Sequence, residues 1–417
     1  MVVQLSDVSN ALEKVIKPFI QDNFDQSTIL LDQMKRNVGT TFMNNNFYAP
    51  VRTSRHGGVT NLADDGNTLV TGKASIGQAS VAVKILTGTF DISKLTMDAT
   101  ATKKGAVENQ LTFQARTLAS DFSKDINRQM FGDGVGILAQ VSGSVGAGTA
   151  SVIYPNSSLD DGSSTDWYKT NNDIAATEYI QAGMVLGIGT AGADLGTVSA
   201  VTTSSDGTIG TVVMTGAPGI VANDSIYRAD GSGEGSGTSE ITGIRAALGT
   251  ATTYASLTRS TTPQWTAQRE ATSEALTLSA MEDVYLAAKK YATVGDTYAI
   301  FVNKTLYKKY GDILTALRRT VNETDLLGGW TGLEFAAGAG KVGVFLDYDV
   351  PDGEVLVLNL DSFTMAQVSE MGWLDNPNSG SLVRRRDAIT YQATMVWFMN
   401  MLCMAPGANG RLLQKTA

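Results

Sequence analysis

Residues 50–88 form a glycine- and threonine-rich stretch that runs straight into one amphipathic helical pattern at 99–131, and neither can bury itself within a single compact domain. A helix of about thirty residues measures about 50 Å at ~1.5 Å per residue, more than the width of a small domain. Its apolar stripe is Val107, Leu111, Ala115, Leu118, Phe122 and Ile126, whose steps of three and four keep one face of the helical period. Lys103, Lys104, Arg116, Lys124 and Arg128 lie off that face. The stripe needs cover along its whole length, from sheets beside it or from neighbouring chains. Thr96 or Asp98 is expected to cap the start, and Gly132, Gly134 and Gly136 to end the helix.

The preceding stretch, from Pro50 through His56-Gly57-Gly58 to Asn67-Thr68, has scattered apolar residues and no periodic face that could form a core. It reads as a protruding ribbon. Ser80 to Ile92, loosely alternating and β-branched, reads as the return strand, with Asp65-Gly66 as a tight turn between the limbs. A lone two-stranded ribbon is marginal in water, so another subunit is expected to hold it.

A chain of 417 residues, 43% hydrophobic and 18% charged, can bury two or three cores. Forty-three glycines against eight prolines favour strands and turns. No apolar run reaches the roughly 18 residues that span a bilayer, and Met1-Val-Val-Gln-Leu-Ser-Asp lacks the basic-then-apolar order of a secretion signal. The single cysteine, Cys403, excludes an internal disulfide and sits in the apolar run Met395–Met404, where a buried inert thiol is expected. Residues 141–240 carry eleven acids against two bases, which accounts for the whole net charge of −9 and leaves the remainder neutral. That segment is expected to face solvent, away from any polyanion. Neither part has the basic excess of a dedicated DNA binder.

The first forty-five residues read as short helices, Val8–Ile16 and Ser27–Met34 around Pro18, with no core of their own. From about 140 to 240 the pattern switches to short strands, Met184–Ile188, Leu195–Val201, Ile209–Met214 and Asp224–Tyr227, which suit a small antiparallel barrel or sandwich inserted into a larger domain. Gly231-Ser-Gly-Glu-Gly-Ser-Gly is a flexible exit linker. A mixed α/β block follows. Ser279-Ala-Met-Glu282 reads as a capping box opening a helix, Tyr298–Val302 as a strand, and Asn303 as the cap of a second helix reaching Arg319. Lys341–Asp347 and Val350–Asn359 read as a hairpin turning at Pro351-Asp-Gly. The final strand, Ala388–Met404, is long enough to lie along the long helix.

Catalytic chemistry is hard to place. The only histidine, His56, sits beside two glycines in the ribbon, where a surface or interface role fits better than a triad. One Cys and one His exclude a zinc site built from those ligands. Gly338-Ala-Gly-Lys341-Val lacks the leading glycine and the hydroxyl of a phosphate loop. A calcium-loop reading of Asp347-Tyr-Asp349-Val-Pro351 fails because Leu358 stands where a bidentate carboxylate belongs. Arg384-Arg385-Arg386, the densest basic run, is either a solvated strand start or a salt-bridge patch between subunits. No catalytic, cofactor or metal residues are expected.

The order of these parts resembles the major capsid protein of tailed bacteriophages, with its Hong Kong 97-type fold. The local likenesses are Phe131-Gly-Asp-Gly, Thr258-Arg-Ser-Thr-Thr-Pro-Gln-Trp265, Leu278-Ser-Ala-Met-Glu-Asp-Val-Tyr, Gly328-Gly-Trp-Thr-Gly-Leu-Glu-Phe and Val344-Phe-Leu-Asp-Tyr-Asp-Val-Pro-Asp-Gly. The resemblance implies an α+β chain with an N-terminal arm at 1–49, an E-loop at 50–88, a P-domain spine helix at 89–139, an A-domain at 245–374 and a C-terminal P-domain strand at 375–417. Residues 140–240 become an inserted, small, acidic all-β domain. The implied function is a structural one, self-assembly into hexamers and pentamers of an icosahedral shell enclosing double-stranded DNA, with no enzyme activity. Implied partners are scaffolding, portal and decoration proteins and DNA packaged without sequence-specific binding; no membrane is involved. The implied location is the virion capsid, assembled in the bacterial host cytoplasm. Inter-subunit contacts are expected at Arg52, Arg55 and Lys73 of the loop and at Arg384, Arg385 and Arg386. Some relatives join a lysine to an asparagine between subunits; Lys73 is where a donor would stand, but no acceptor can be named and no crosslink is expected. Because the chain starts with only a short arm, a separate scaffolding protein is expected. Alternatives are an encapsulin-like nanocompartment shell, a surface adhesin or glycan-binding β protein built on 140–240, and a hydrolase, for which no carboxylate cluster can be located.

Overall fold

The computed structural model describes residues 28–34, 36–38, 42–61, 71–100, 110–141, 149–153, 179–189, 194–203, 210–216, 220–221, 224–228, 240–293, 295–316, 323–325, 331–337, 340–351, 353–374, 382–385 and 388–416. They form two compact units. The larger comprises Ser27–Leu86, Asp125–Glu370 and Trp397–Ala417, and the smaller includes Thr87–Lys124 and Met371–Val396.

The core of the larger unit is a seven-stranded sheet in the order Gln268–Glu270, Gly410–Leu412, Val355–Asn359, Tyr298–Val302, Gly340–Leu346, Thr331–Ala337, Glu323–Asp325. All five residues of Tyr298–Val302 are buried, as a strand covered on both faces requires. Tyr298, Ile300 and Val302 meet the helices Leu278–Lys289 and Lys304–Ala316 through Met281, Val284, Tyr285, Leu306 and Tyr310. Phe301, pointing the other way, meets Phe131 with ring centroids 6.2 Å apart. Gly410 permits one close approach: a Cβ there would lie 2.2 Å from Val284 Cγ1.

The expected hairpin of 341–359 does not form. Its two strands lie on either side of Tyr298–Val302, which pairs parallel with Gly340–Leu346 and antiparallel with Val355–Asn359. Both strands are apolar on both faces, so each gains from a buried position beside a third strand. The connection crosses the end of that strand, where Asp347 N donates to Val302 O at 3.0 Å. The first capping box is also displaced. Thr277 Oγ1 accepts from Ala280 N at 3.2 Å, so the helix opens at Leu278 with Ser279 inside it. Asn303 caps the next helix as expected, accepting from Leu306 N at 3.1 Å.

After the long helix the chain turns at Gly134 (φ 89°) and Gly136 (φ 79°) into a closed six-stranded barrel. Its order is Gly210–Thr215, Thr149–Ile153, Ile137–Val141, Ser225–Arg228, Val185–Ile188, Asp194–Thr203, and Leu138, Val141, Leu186, Val198, Val212 and Ile226 fill it. Closure removes the free edges that short strands would otherwise present. Ion pairs fasten the barrel to the helix end. Arg228 Nη1 reaches Asp125 Oδ2 at 2.6 Å, and Arg128 bonds both Asp125 (3.1 Å) and Glu240 (3.2 Å). Burial disfavours the Asp125 charge, but Arg128 and Arg228 outweigh it and hold the carboxyl well below the usual carboxylate range.

The chain's last strands are buried and charged. Arg411 and Glu354, both fully buried, pair at 2.9 and 2.7 Å, and Lys415 Nζ sits between Glu270 and Glu274. The N-terminal segment departs from expectation. Ile29, Leu30, Leu31 and Met34 are buried, with Leu31 N donating to Asn127 Oδ1, so the helix Ile29–Gln33 does join a core. The earlier helix read at 8–16 lies outside the described residues.

In the smaller unit the strand portion Thr87–Ser93 faces the helix Gln110–Phe131, where Gly88 has no side chain to collide with Leu118 and Phe122. Gly372–Trp373 and Val383–Arg384 pair with the N-terminal half of Thr390–Cys403. The long helix is described over 22 residues, about 33 Å. Phe122 is 8% and Ile126 1% exposed, whereas Leu111, Ala115 and Leu118 are only half-buried. Val107, Lys103 and Lys104 lie outside the described residues. Helix is also described over Lys94–Thr100, which starts earlier than expected. Its cap is Ser93, whose Oγ accepts from Thr96 N at 3.1 Å; Thr96 and Asp98 are inside the helix, Asp98 paired to Lys94 at 2.7 Å.

Candidate assembly surfaces

The ribbon is an antiparallel ladder of Asn46–Arg52 with Ile76–Ala82, in register from Asn46↔Ala82 to Arg52↔Ile76. Phe42–Met43 adds a third strand through a tight turn at Asn44-Asn45. Alternation puts Phe47, Ala49, Ala79 and Val81 into the core of the larger unit. The base of the ribbon, outside the Pro50–Thr68 stretch read as having no core-forming face, is therefore held by its own chain and not by another subunit, and the return strand is broken at Val83 into Ile76–Ala82 and Lys84–Ser93. Past the last pair, Thr53 N to Ser75 O at 2.9 Å, the character changes. Residues 55–57, 59–61 and 71–76 are exposed, Val59 at 86% and Ile76 at 78%. The turn expected at Asp65-Gly66 lies outside the described residues.

Arg52 stands exposed at the end of the ladder, its Nε donating to Ser54 O at 3.0 Å, and Arg55 and Lys73 stand exposed on the distal part. The basic run lies in the smaller unit. Arg384 Nε donates to Ala388 O at 3.4 Å, and Arg385 pairs with Asp91 of its own chain at 2.9 Å. Arg386 lies outside the described residues. Sequence reasoning passed over the exposed apolar residues, Val59 and Ile76 on the ribbon and Leu95 (81%), Ile389 (71%) and Leu374 (56%) in the smaller unit. Isolated apolar side chains in a polar stretch were the available signal.

Residues suited to chemistry are committed elsewhere. His56 is exposed and its Nδ1 accepts from Gly58 N at 3.1 Å. Cys403 is buried, and burial pushes its thiol up to about 12. Asp349 accepts from Asn127 Nδ2 and Tyr179 OH, both at 2.6 Å, and Asp347 from Asp349 N at 3.0 Å, so these acids brace the fold. Among the described residues no group of His, Cys, Asp and Glu could hold a metal ion, and no helix is long and apolar enough to cross a membrane.

No protein-family model matches the sequence, and no curated protein matches it. Solved structures do. A chain of the capsid asymmetric unit of cyanophage A-1(L) is 13% identical, covering 98% of this chain and 98% of that one with a TM-score of 0.56. A chain of the capsid of a native GTA particle is 11% identical over 100% of both, with a TM-score of 0.51. The holo-SrpI encapsulin complex from Synechococcus elongatus PCC 7942 matches at 7% identity over 100% of this chain and 97% of that one, with a TM-score of 0.49. The first two show that this chain has the fold of phage-type capsid proteins over nearly its full length.

Proposed function

We propose that this chain is the major capsid protein of a tailed bacteriophage, a structural subunit that assembles into hexamers and pentamers of an icosahedral shell around double-stranded DNA. The observation that carries the reading is the full-length likeness to capsid chains, joined to a ribbon whose base is anchored while its distal part stands bare. In the Hong Kong 97-type layout the ribbon is the E-loop, the long helix and the strand after 375 form the P-domain, 245–374 the A-domain, and 1–49 the N-terminal arm. The barrel, whose strands run from Ile137 to Arg228, is an insertion on the outer surface, where its acids stay clear of packaged DNA.

Assembly follows from incompleteness. The distal ribbon exposes Val59 and Ile76 to water, and a neighbour's surface removes that apolar area while Arg52, Arg55 and Lys73 meet acids at the rim. Arg384, Arg385 and Arg386 supply a second charged contact. Each interface is modest, so misplaced subunits can leave and rejoin. Scaffolding, portal and decoration proteins are the expected partners, in the host cytoplasm and then in the virion.

Deleting residues 55–74 tests this. The cut spares the ladder from Arg52↔Ile76 inward, so the variant should remain folded and fail to close shells. Normal shells from it would overturn the role given to the ribbon, and a native chain that sediments only as a monomer or small oligomer under every condition would favour the adhesin reading.

A further inference from the structure

Among the described residues of the larger unit, two hairpins close with both central residues at positive φ. At Asn44-Asn45 the angles are 50° and 61°, and asparagine tolerates that region. At Ala255-Ser256 they are 46° and 66°, joining Thr253–Tyr254 to Leu257–Thr258. Alanine and serine are poor choices there, because a left-handed residue brings its Cβ against the following carbonyl. Such strain persists only where surrounding contacts enforce it.

The enforcing contacts come from two sides. The body holds the stem: Trp265 Nε1 donates to Tyr254 O at 3.0 Å, and Arg259 N to Thr252 O at 2.9 Å. The ribbon holds the turn. Ser80 N donates to Ala255 O at 2.9 Å, and the Ser80 and Ser256 hydroxyls share a hydrogen bond of 2.6 Å. Gly77 passes so close that a Cβ there would lie 2.9 Å from Leu257 Cδ2 and 2.6 Å from Thr53 Cγ2. Gln264, farther along, donates Nε2 to Thr53 O at 2.6 Å.

We propose that the Thr253–Thr258 hairpin is a strained latch for the ribbon: docking of Ile76–Ala82 holds Ala255-Ser256 in the left-handed region, and undocking lets the turn relax and withdraw its docking groups. Ribbon position and turn conformation are then one two-state element. The strain biases the ribbon toward release, and the hydrogen bonds to Ser80 bias it toward capture. A neighbouring molecule that pulls on the distal ribbon works against only the difference between them. This coupling is internal to one chain and does not depend on the shell reading.

Hydrogen exchange of the unassembled full-length chain tests it in a four-way comparison. The ribbon is loosened by Gly77→Ala, whose Cβ crowds the Thr53 and Leu257 methyls, or by Ser80→Ala, which removes the hydroxyl bonded to Ser256. The turn is freed of strain by Ala255→Asn with Ser256→Gly, the pair best suited to this geometry. In the native turn, either ribbon substitution should speed exchange of the Arg259 amide at least about fivefold; in the Asn-Gly turn the same substitution should change it less than about twofold. The Asn-Gly turn alone should slow exchange of the Ser80 amide at least about tenfold, the size of one relieved left-handed penalty. Equal acceleration in both turns, or no change in the Ser80 amide, overturns the latch and leaves the hairpin a passive support.

Discussion

Replacing Val59 and Ile76 together by serine separates folding from assembly. In the single chain these side chains are 86% and 78% exposed, so they contribute almost nothing to the fold, and surface substitutions of this kind shift stability by about 0.5 kcal/mol or less. Under the proposed assembly each is covered by a neighbour. Fully burying a valine or isoleucine side chain is worth about 1.5–3 kcal/mol, and cover over two-thirds of the available area gives about 3 kcal/mol for the pair. In that assembly each subunit gives one ribbon and receives one. The loss is therefore about 3 kcal/mol per subunit, and the concentration at which shells appear should rise about a hundredfold, since 1.4 kcal/mol is a factor of ten. Light scattering across a concentration series, beside a urea unfolding curve of the unassembled chain, reads both quantities. A threshold that moves less than about threefold with an unchanged unfolding midpoint refutes the reasoning, and so does a midpoint that falls with the threshold.

Three further outcomes follow from the interior. Glu354→Gln leaves the fully buried Arg411 without its carboxylate and should destabilise by about 3–5 kcal/mol in urea unfolding, whereas Glu354→Leu with Arg411→Met should recover most of it. Asp125→Asn removes a carboxylate whose pKa is depressed in the fold, so its stabilisation is present above the unfolded value of about 4 and is lost as pH falls through the lower folded value. The stability gap between native and variant should thus be constant from about pH 7 to 5 and narrow on acidification; a gap that widens in acid contradicts the ion pairs. Cys403, buried with its thiol pushed up to about 12, should resist alkylation at pH 8 in the folded chain and react fully in denaturant, which mass spectrometry resolves.

Periodic features were the legible ones. The steps of three and four from Leu111 to Ile126 match the helix Gln110–Phe131, and the short β-branched runs between Gly, Ser and Asp match strands of the barrel. Features that depend on distant partners were not legible. Pro351-Asp-Gly gives a true local turn signal, yet local sequence cannot reveal that Tyr298–Val302 lies between the strands it joins. Thr277 and Ser93 cap their helices with ordinary hydroxyls, and nearby residues of equal propensity obscured them. Arg411 and Glu354 stand 57 residues apart, so their pairing has no local signature. Of the sites, Arg52, Arg55 and Lys73 could be placed on an exposed loop from composition, but the anchored base required the alternation of Phe47, Ala49, Ala79 and Val81 to be seen across two strands. Ala255-Ser256 carries neither glycine nor asparagine, and only its backbone angles betray the turn.

The most direct test of the shell reading is an electron cryomicroscopy reconstruction of particles formed by the purified chain, alone and with a scaffolding partner. Closed shells in which residues 55–61 and 71–76 of each subunit lie on a neighbour are predicted. Shells in which those residues rest on their own subunit, or a preparation that never closes with either composition, would contradict it.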